Sequence, residues 1–239
     1  MASFFKAKAN PYYFPDLLDA SQPTLYYAAA QIIANPLFWN IVARNEYRNK
    51  TITKVLGGRN YLGCYFLGVT IFSIGIFRDH LYNEALRVQP THPLLLRDEA
   101  KYAGALLFGL GNLFVLSSMW ALGVTGTYLG DYFGILMDHI VTSFPFNVMA
   151  NPMYWGSSMS FAGVALWFGK PAGLVLTVLV IVVYYVALKF EEPFTNNIYA
   201  RAAAAAEKQK RASSAIAPSA TSTATADVPA ARTRSKASI

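Results

Sequence analysis

Charged residues are scarce in this sequence. Asp, Glu, Lys and Arg make up 14% of its 239 residues, hydrophobic residues make up 54%, and the mean hydropathy is +0.31. An ordinary soluble domain has about a quarter charged residues. The composition therefore argues against a water-soluble globular protein and favours a chain whose helices face lipid.

Cysteine and histidine are also rare, with one Cys and three His in the chain. A lone cysteine can form neither an intrachain disulfide nor a cysteine zinc cluster. Because Cys64 lies in an apolar run, we interpret it as a small buried hydrophobic residue. His80, His92 and His139 lack the spacing of metal ligands, so no metal site is predicted.

The two ends of the chain lack features that would give them a structural role. The first 19 residues have no compact apolar core followed by a small-residue cleavage site, so we expect no signal peptide, and the first apolar segment should direct insertion. Residues 200–239 are rich in Ala, Ser and Thr, with a short helix-prone run at 200–212 followed by a low-complexity stretch. They have too little apolar area to offset the entropy of ordering, which predicts a disordered basic tail. The net charge is +7, and much of the excess of Lys and Arg lies in this tail and in residues 44–59. This distribution favours anionic lipid surfaces over nucleic acid as a partner.

Long segments without charge predict membrane helices, each of which needs about 20 mostly apolar residues. We place spans at residues 61–77, 103–124 and 172–188, and a shorter apolar helix at 156–168. Residues 20–43 are uncharged as well, but Pro36 is expected to break or kink them. The predicted fold class is an all-α polytopic transmembrane bundle of about four to five membrane helices, of which the first is either a span or a re-entrant segment.

The ends of the last span carry two further predictions. Gly169-Lys170-Pro171 predicts a turn before it. We expect the helix to end at Glu191-Glu192-Pro193, where two acids would lie at the unfavourable pole of the helix dipole and would require an external cation or hydrogen-bond donor.

The distribution of Lys and Arg predicts a cytosolic carboxyl-terminal tail. The basic loop at residues 44–59 agrees with this orientation if residues 156–188 form a helical hairpin, which gives five crossings. A single crossing there reverses the sides of the earlier loops. Glycosylation of the acceptor pattern Asn49-Lys50-Thr51 would place that loop in the lumen and contradict the hairpin.

Short motifs in a fixed order carry a resemblance to a known family. They are Gly109-Leu110-Gly111, Gly126-Thr127-Tyr128-Leu129-Gly130-Asp131, Phe144-Pro145-Phe146-Asn147, Asn151-Pro152-Met153-Tyr154-Trp155-Gly156 and Glu191-Glu192-Pro193-Phe194. Together these motifs resemble the phosphatidylethanolamine N-methyltransferase and phospholipid methyltransferase family of the endoplasmic reticulum. The resemblance covers roughly residues 35–199 and divides the chain into an arm (1–19), a membrane methyltransferase domain (20–199) and the tail (200–239).

This resemblance implies an activity and a location. The expected reaction is N-methylation of phosphatidylethanolamine, or of its mono- and dimethyl derivatives, by S-adenosyl-L-methionine, which produces phosphatidylcholine. The expected partner is the phospholipid substrate within the bilayer, and the sequence carries no indication of oligomeric state. The expected location is the endoplasmic reticulum membrane, with a mitochondrial membrane as an alternative.

The resemblance also implies site residues. The cofactor is expected to bind Gly109, Leu110, Gly111, Glu191 and Glu192, with Asn151, Pro152 and Tyr154 beside it. Only an unprotonated amine can attack the methyl group, so a base is needed. The available candidates are Asp131, Asp138, His139, Glu191 and Glu192. Of these we select Asp131, His139 and Glu192, with Tyr154 as a further catalytic residue.

Other interpretations of these residues stay open. Gly109 and Gly111 are also compatible with simple helix packing, as is the four-residue repeat of Gly126, Gly130 and Gly134, which would form one smooth face if that stretch is helical. Two other functions are alternatives: a membrane protein without enzymatic activity, such as a transporter subunit or scaffold, and an enzyme similar to the isoprenylcysteine carboxyl methyltransferases.

Overall fold

A computed structural model of the chain describes residues 17–138 and 141–216. All regular secondary structure in these residues is helical, which confirms the all-α fold class. The helices are α1 (Pro23–Asn49), α2 (Thr51–Val55), α3 (Asn60–Val88), α4 (Asp98–Thr127), a 3-10 helix (Gly130–Phe133), α5 (Pro152–Trp167) and α6 (Pro171–Ile216).

Three helices of the described residues are long and apolar enough to cross a membrane. They are Asn60–Val88, Asp98–Phe133 and Pro171–Arg211, and each contains one of the predicted spans. Helix α5 has 16 residues, so that it is about 24 Å long and shorter than a hydrocarbon core of about 30 Å. The total of four to five crossings and the hairpin at residues 156–188 stay predictions.

Two prolines lie inside helices. Pro36 was expected to break or kink the first segment. It does not break it, because α1 continues through it, and the Asn40 side chain donates a hydrogen bond of 3.1 Å to the Pro36 carbonyl, whereas a kink stays a prediction. The expectation that the last helix ends at Glu191, Glu192 and Pro193 is wrong, because α6 continues to Ile216. The two acids therefore do not lie at a helix terminus, and the dipole argument does not apply to them.

A distant side chain helps the helix to tolerate Pro193. Proline cannot donate to the helix ladder, and its ring displaces the carbonyls of the preceding turn. The guanidinium of Arg44 on α1 donates a hydrogen bond of 2.7 Å to the carbonyl of Phe190 in that turn. The same guanidinium lies 4.7 Å from the centre of the Phe194 ring, so α1 holds this part of α6 from both sides of the proline.

Gly126, Gly130 and Gly134 do not share one helix face, so the smooth glycine face is wrong. Helix α4 ends at Thr127, Gly130 begins the 3-10 helix, and Gly134 follows it with a φ of 81°. Leu129 adopts a left-handed conformation with a φ of 59° between the two helices, and this interrupts the α-helical hydrogen-bond ladder. The predicted turn at Gly169 is confirmed, with a φ of 65°.

The chain divides into two compact units, Met1–Tyr199 and Ala200–Ile239. The first unit contains two buried clusters, in which α6 packs against α1 and α3 through Leu176, Val180 and Tyr184, and the 3-10 helix packs against α3 through Tyr132 and Phe133. Cys64 belongs to the second cluster and is fully buried, as predicted. Residues 200–216 of the second unit are helical, as expected for the helix-prone run, and the rest of the predicted tail, residues 217–239, lies outside the described residues. The division into arm, methyltransferase domain and tail stays a prediction.

Helices α4 and α5 approach each other at backbone contact. A Cβ atom on Gly156 would lie 2.6 Å from the carbonyl oxygen of Gly111, and one on Gly163 would lie 2.7 Å from the carbonyl oxygen of Gly104. No side chain fits at such distances, so the two pairs of glycines permit this contact. We call these two pairs the glycine seam.

Candidate functional site

The first unit contains a cavity of about 660 Å³, which we call the central cavity. Its volume falls within the range of about 300–1,000 Å³ that is typical of ligand sites. Five helices line it, with apolar walls from α3 and α4. The apolar lining includes Ile71, Phe72, Ile76, Val115, Met119 and Leu122, and the polar lining includes Asn35, Arg78, Asp79, Asn151, Tyr154 and Glu191.

The carboxylate of Glu191 stands at the wall of the central cavity and is held by three neutral donors. The Trp39 indole nitrogen and the Asn40 amide donate hydrogen bonds of 2.5 and 2.7 Å to Oε1. The Tyr154 hydroxyl donates to Oε2. Among the described residues, no ion pair involves Glu191, so its negative charge is fixed in position but not neutralised, which suits a cationic ligand.

The fold of three helices explains this arrangement. Trp39 and Asn40 come from α1, Tyr154 from the first turn of α5, and Glu191 from α6. The ring of Tyr154 packs edge-on against Tyr184 of α6, with ring centroids 4.9 Å apart, which limits its rotation. The carboxylate is therefore positioned by contacts that only the folded bundle provides.

The second acid is positioned by the segment that begins α5. Asn151 has a φ of 54°, a left-handed conformation that asparagine tolerates, and Pro152 starts the helix. This turn directs the Asn151 amide to Glu192, with a hydrogen bond of 2.9 Å to Oε1. The structure thus brings together five of the sequence-predicted site residues, Asn151, Pro152, Tyr154, Glu191 and Glu192.

The glycine motif is located elsewhere. Gly109, Leu110 and Gly111 do not line the central cavity, although their neighbours Phe108 and Asn112 do. Gly111 lies in the glycine seam, whereas a Cβ on Gly109 would meet no atom of the described chain within 4 Å. The cofactor role of this motif stays a prediction.

None of the selected candidate bases that the structure describes lines the central cavity. Asp131 lies in the 3-10 helix, where its carboxylate accepts a hydrogen bond from the Thr195 side chain of α6. Its neighbours Tyr128 and Leu129 line the central cavity, whereas Asp131 itself does not. His139 lies outside the described residues. The identity of the base stays a prediction.

Two buried polar atoms at the cavity wall need a partner. The Oδ1 atom of Asn35 and the Oγ1 atom of Thr127 have no hydrogen-bond partner among the described residues. Asn35 is 2% exposed. Buried polar groups in proteins are almost always hydrogen-bonded, so a polar ligand in the central cavity would complete the site. The cavity size, the unneutralised Glu191 and these acceptors all fit a polar, positively charged cofactor.

Sequence reasoning assigned no role to several residues of this site. Trp39 and Asn40 lie in the uncharged segment of residues 20–43, although asparagine in an uncharged helix indicates a polar contact. Arg78 directly follows the span placed at residues 61–77, yet it lines the central cavity. Tyr184, in the most apolar segment of the chain, lines it as well.

Comparisons with known proteins agree with the motifs. The model of the phospholipid methyltransferase family matches residues 100–202. A phosphatidyl-N-methylethanolamine N-methyltransferase of Neurospora crassa is 58% identical over 186 residues, which are 78% of this chain and 87% of that protein. One of Saccharomyces cerevisiae is 60% identical over 166 residues, 70% of this chain and 80% of that protein.

Similarity extends to animals. A phosphatidylethanolamine N-methyltransferase of Rattus norvegicus is 50% identical over 186 residues, which are 78% of this chain and 93% of the rat protein. No solved structure matches the chain. With relatives this similar over most of their length, the chain belongs to the phospholipid methyltransferase family.

Proposed function

We propose that this protein transfers methyl groups from S-adenosyl-L-methionine to the head-group amine of phosphatidylethanolamine or its mono- and dimethyl derivatives, and so produces phosphatidylcholine. The names of its relatives support this reaction and favour neither a scaffold nor an isoprenylcysteine methyltransferase. The observation that carries the proposal is the carboxylate of Glu191, fixed by three neutral donors at the wall of a 660 Å³ cavity.

Glu191 holds the positively charged part of the cofactor, and Tyr154, Trp39 and Asn40 keep its carboxylate in one place. Glu192, Asn151 and Pro152 extend this cofactor site at the start of α5, and Gly109, Leu110 and Gly111 contribute from α4. When bound, the cofactor supplies an electrophilic methyl group. The apolar walls exclude water from the reaction, so that alignment of the two reactants provides most of the rate.

A base must accept a proton before the amine can attack. Asp131, His139 and Glu192 are the proposed acceptors, and Tyr154 is a further proposed catalytic residue because it already donates to Glu191 beside the cavity. Asp131 and Glu192 both belong to the end of the bundle where the 3-10 helix meets α6, and the Thr195 side chain that contacts Asp131 lies three residues after Glu192.

The proposed location is the endoplasmic reticulum membrane, or a mitochondrial membrane, with the carboxyl-terminal tail in the cytosol. The lipid substrate is then within the bilayer, and the basic tail lies on the side that the excess of Lys and Arg favours. Protease treatment of sealed microsomes should remove an epitope attached after Ile239. An epitope that is protected until detergent is added would reverse the proposed orientation.

The activity is tested with the full chain in membranes, by following transfer of radiolabelled methyl groups into extracted lipids. The wild type should label phospholipid, and Glu191→Gln and Glu192→Gln should each reduce the rate by about 100-fold, because a fixed charge at the reaction site is lost. Glu84→Gln is the matched control, since Glu84 is an acid of α3 that pairs with Arg87 at 3.1 Å and does not line the cavity. Absence of label from the wild type would refute the proposal.

The methylation steps are separated by presenting the unmethylated, monomethyl and dimethyl lipids one at a time and resolving the products by chromatography. The two fungal relatives described above are named for the monomethyl substrate and the rat protein for the unmethylated one. We expect this chain to use the methylated substrates faster. A preference for the unmethylated lipid would instead group its specificity with that of the animal protein.

A further inference from the structure

We propose that Arg78 binds the phosphodiester of the phospholipid substrate within the central cavity. The inference rests on the proposed function and assigns a lipid subsite to a residue that lines the same cavity as Glu191.

Arg78 has an unusual position for a cation. It lies in α3, a helix long and apolar enough to span a membrane, and its side chain lines the central cavity with only 13% of its surface exposed. Charged side chains in membrane helices are costly, and they commonly face a cavity where they bind a substrate or an ion. The cost requires a compensating anion.

The neighbouring carboxylate accounts for part of the surroundings of this cation. Asp79 also lines the central cavity, and its Oδ1 atom accepts a hydrogen bond of 2.9 Å from Nε and lies 2.8 Å from Nη2. Both contacts use one carboxylate oxygen on one edge of the guanidinium. The other edge stays available for a second acceptor.

The guanidinium is held in place and retains free donors. Nη1 donates a hydrogen bond of 2.7 Å to the Tyr184 hydroxyl, and the group lies 4.9 Å from the centre of the Phe161 ring. A guanidinium has five N–H groups, and the contacts with Asp79 and Tyr184 use three of them. Within the described residues the other two have no acceptor, and two N–H groups in a fixed fork match the oxygens of a phosphodiester.

A chain of contacts joins Arg78 to the cofactor site. The hydroxyl of Tyr184 accepts from Arg78, the ring of Tyr184 packs against Tyr154, and the Tyr154 hydroxyl donates to Glu191. Tyr184 lies seven residues before Glu191, a rise of about 10 Å along α6. A phosphodiester bound at Arg78 would therefore place the head-group amine in the same cavity as the cofactor that Glu191 is proposed to hold.

The test removes the negative charge of the substrate phosphate and the positive charge of Arg78, one at a time. Turnover of monomethyl phosphatidylethanolamine is compared with turnover of its neutral methyl phosphotriester, in the wild type and in Arg78→Met. We expect the wild type to prefer the diester by about 10- to 100-fold in kcat/KM, the size of one charge-assisted hydrogen-bonded pair. Arg78→Met should lose most of this preference and raise the lipid KM, while the KM for S-adenosylmethionine stays the same.

Two variants serve as controls. Arg87→Met removes a cation of the same helix that is 75% exposed and does not line the cavity, and it should keep the full preference for the diester. Arg78→Lys retains the charge but not the fork, so it should keep part of the preference. Because Arg78→Lys preserves the cation, it also provides a result if Arg78→Met does not fold.

Three results would overturn the proposal. The first is an unchanged diester preference in Arg78→Met. The second is a variant that no longer distinguishes S-adenosylmethionine from its decarboxylated form, because the guanidinium would then bind the cofactor carboxylate. The third is a drop in kcat that is equal for all substrates, which indicates a structural role alone.

Binding without turnover separates this inference from the proposed function. Fluorescent phosphatidylcholine in mixed micelles should bind the wild type about 10- to 100-fold more tightly than Arg78→Met. A wild type that binds this lipid but methylates none would refute the proposed reaction and leave the subsite supported. Equal binding by the wild type and Arg78→Met would refute the subsite whatever the activity.

Discussion

Helix α4 meets its two apolar neighbours in opposite ways. Against α5 it forms the glycine seam, where backbone touches backbone at Gly104 and Gly111. Towards α3 it lines the central cavity, and there Gly75 of α3 faces open space, since a Cβ on it would meet no described atom within 4 Å. Glycine thus permits close helix packing on one side of α4 and leaves volume for reactants on the other. Sequence spacing alone does not distinguish the two uses.

The largest effect is expected from filling the seam. A Cβ on Gly163 would lie 2.7 Å from both the carbonyl oxygen of Gly104 and the amide nitrogen of Phe108, and backbone cannot move aside as a flexible side chain can. Gly163→Leu should lower the free energy of unfolding by about 3 kcal/mol or more. The measurement is the midpoint of unfolding in detergent. Equal midpoints for Gly163→Leu and Gly75→Leu would show that the seam and the cavity do not differ.

A smaller effect is expected within the glycine motif of α4. Gly111→Ala places a methyl group against the Gly156 backbone and should cost about 2 kcal/mol, whereas Gly109→Ala meets no described atom and should be neutral or slightly stabilising. Unfolding midpoints test this, and the KM for S-adenosylmethionine tests the proposed cofactor role. A change in that KM without a change in stability in Gly109→Ala would indicate that Gly109 contacts the cofactor. An equal loss of stability in both variants would indicate that Gly109 also contacts a neighbouring helix and would contradict the prediction.

The sequence predicts the membrane helices better than it predicts where they bend or continue. Long apolar runs predict α3, α4 and the start of α6, because a span needs only length and lack of charge. The path of α6 through Pro193 could not be predicted, since it depends on Arg44, which donates to the Phe190 carbonyl from 146 positions away along the chain. Likewise, α4 is kinked at Gly123, where φ is 65°, and the chain after Thr127 contains the left-handed Leu129, a residue that rarely adopts this conformation.

The candidate site shows the same limit. Motif order brought Asn151, Tyr154 and the acidic pair to notice, and the structure places them together. Their partner Trp39 donates to Glu191 from 152 positions away, and no local spacing encodes such a contact. Arg78 was misjudged because an arginine after an apolar run is usually a membrane boundary, and only the packing of α3 against α6 turns it towards the cavity.

Filling the cavity should impair activity but not folding. Gly75→Phe adds a ring to the central cavity, where no described atom lies within 4 Å of the added Cβ. The free energy of unfolding should therefore stay within about 1 kcal/mol of the wild type. Because the ring occupies space needed by the reactants, kcat/KM should fall by about 10-fold, equivalent to about 1.4 kcal/mol. Val69→Phe is the matched control: Val69 belongs to the same helix, is 67% exposed and does not line the cavity, so its activity should be unchanged.

The smallest effect is expected from Gly75→Ala, which changes the helix propensity of this position but adds little volume to the cavity. Gly75→Ala adds one methyl group to a helix interior with an ordinary helical conformation, and alanine favours the helix over glycine by up to about 1 kcal/mol. We expect an unfolding midpoint equal to or slightly above that of the wild type, together with at least half of the wild-type kcat/KM, since a methyl group takes little of the 660 Å³. A loss of stability in Gly75→Ala would mean that Gly75 contacts a neighbouring helix. The two sides of α4 would then use glycine in the same way.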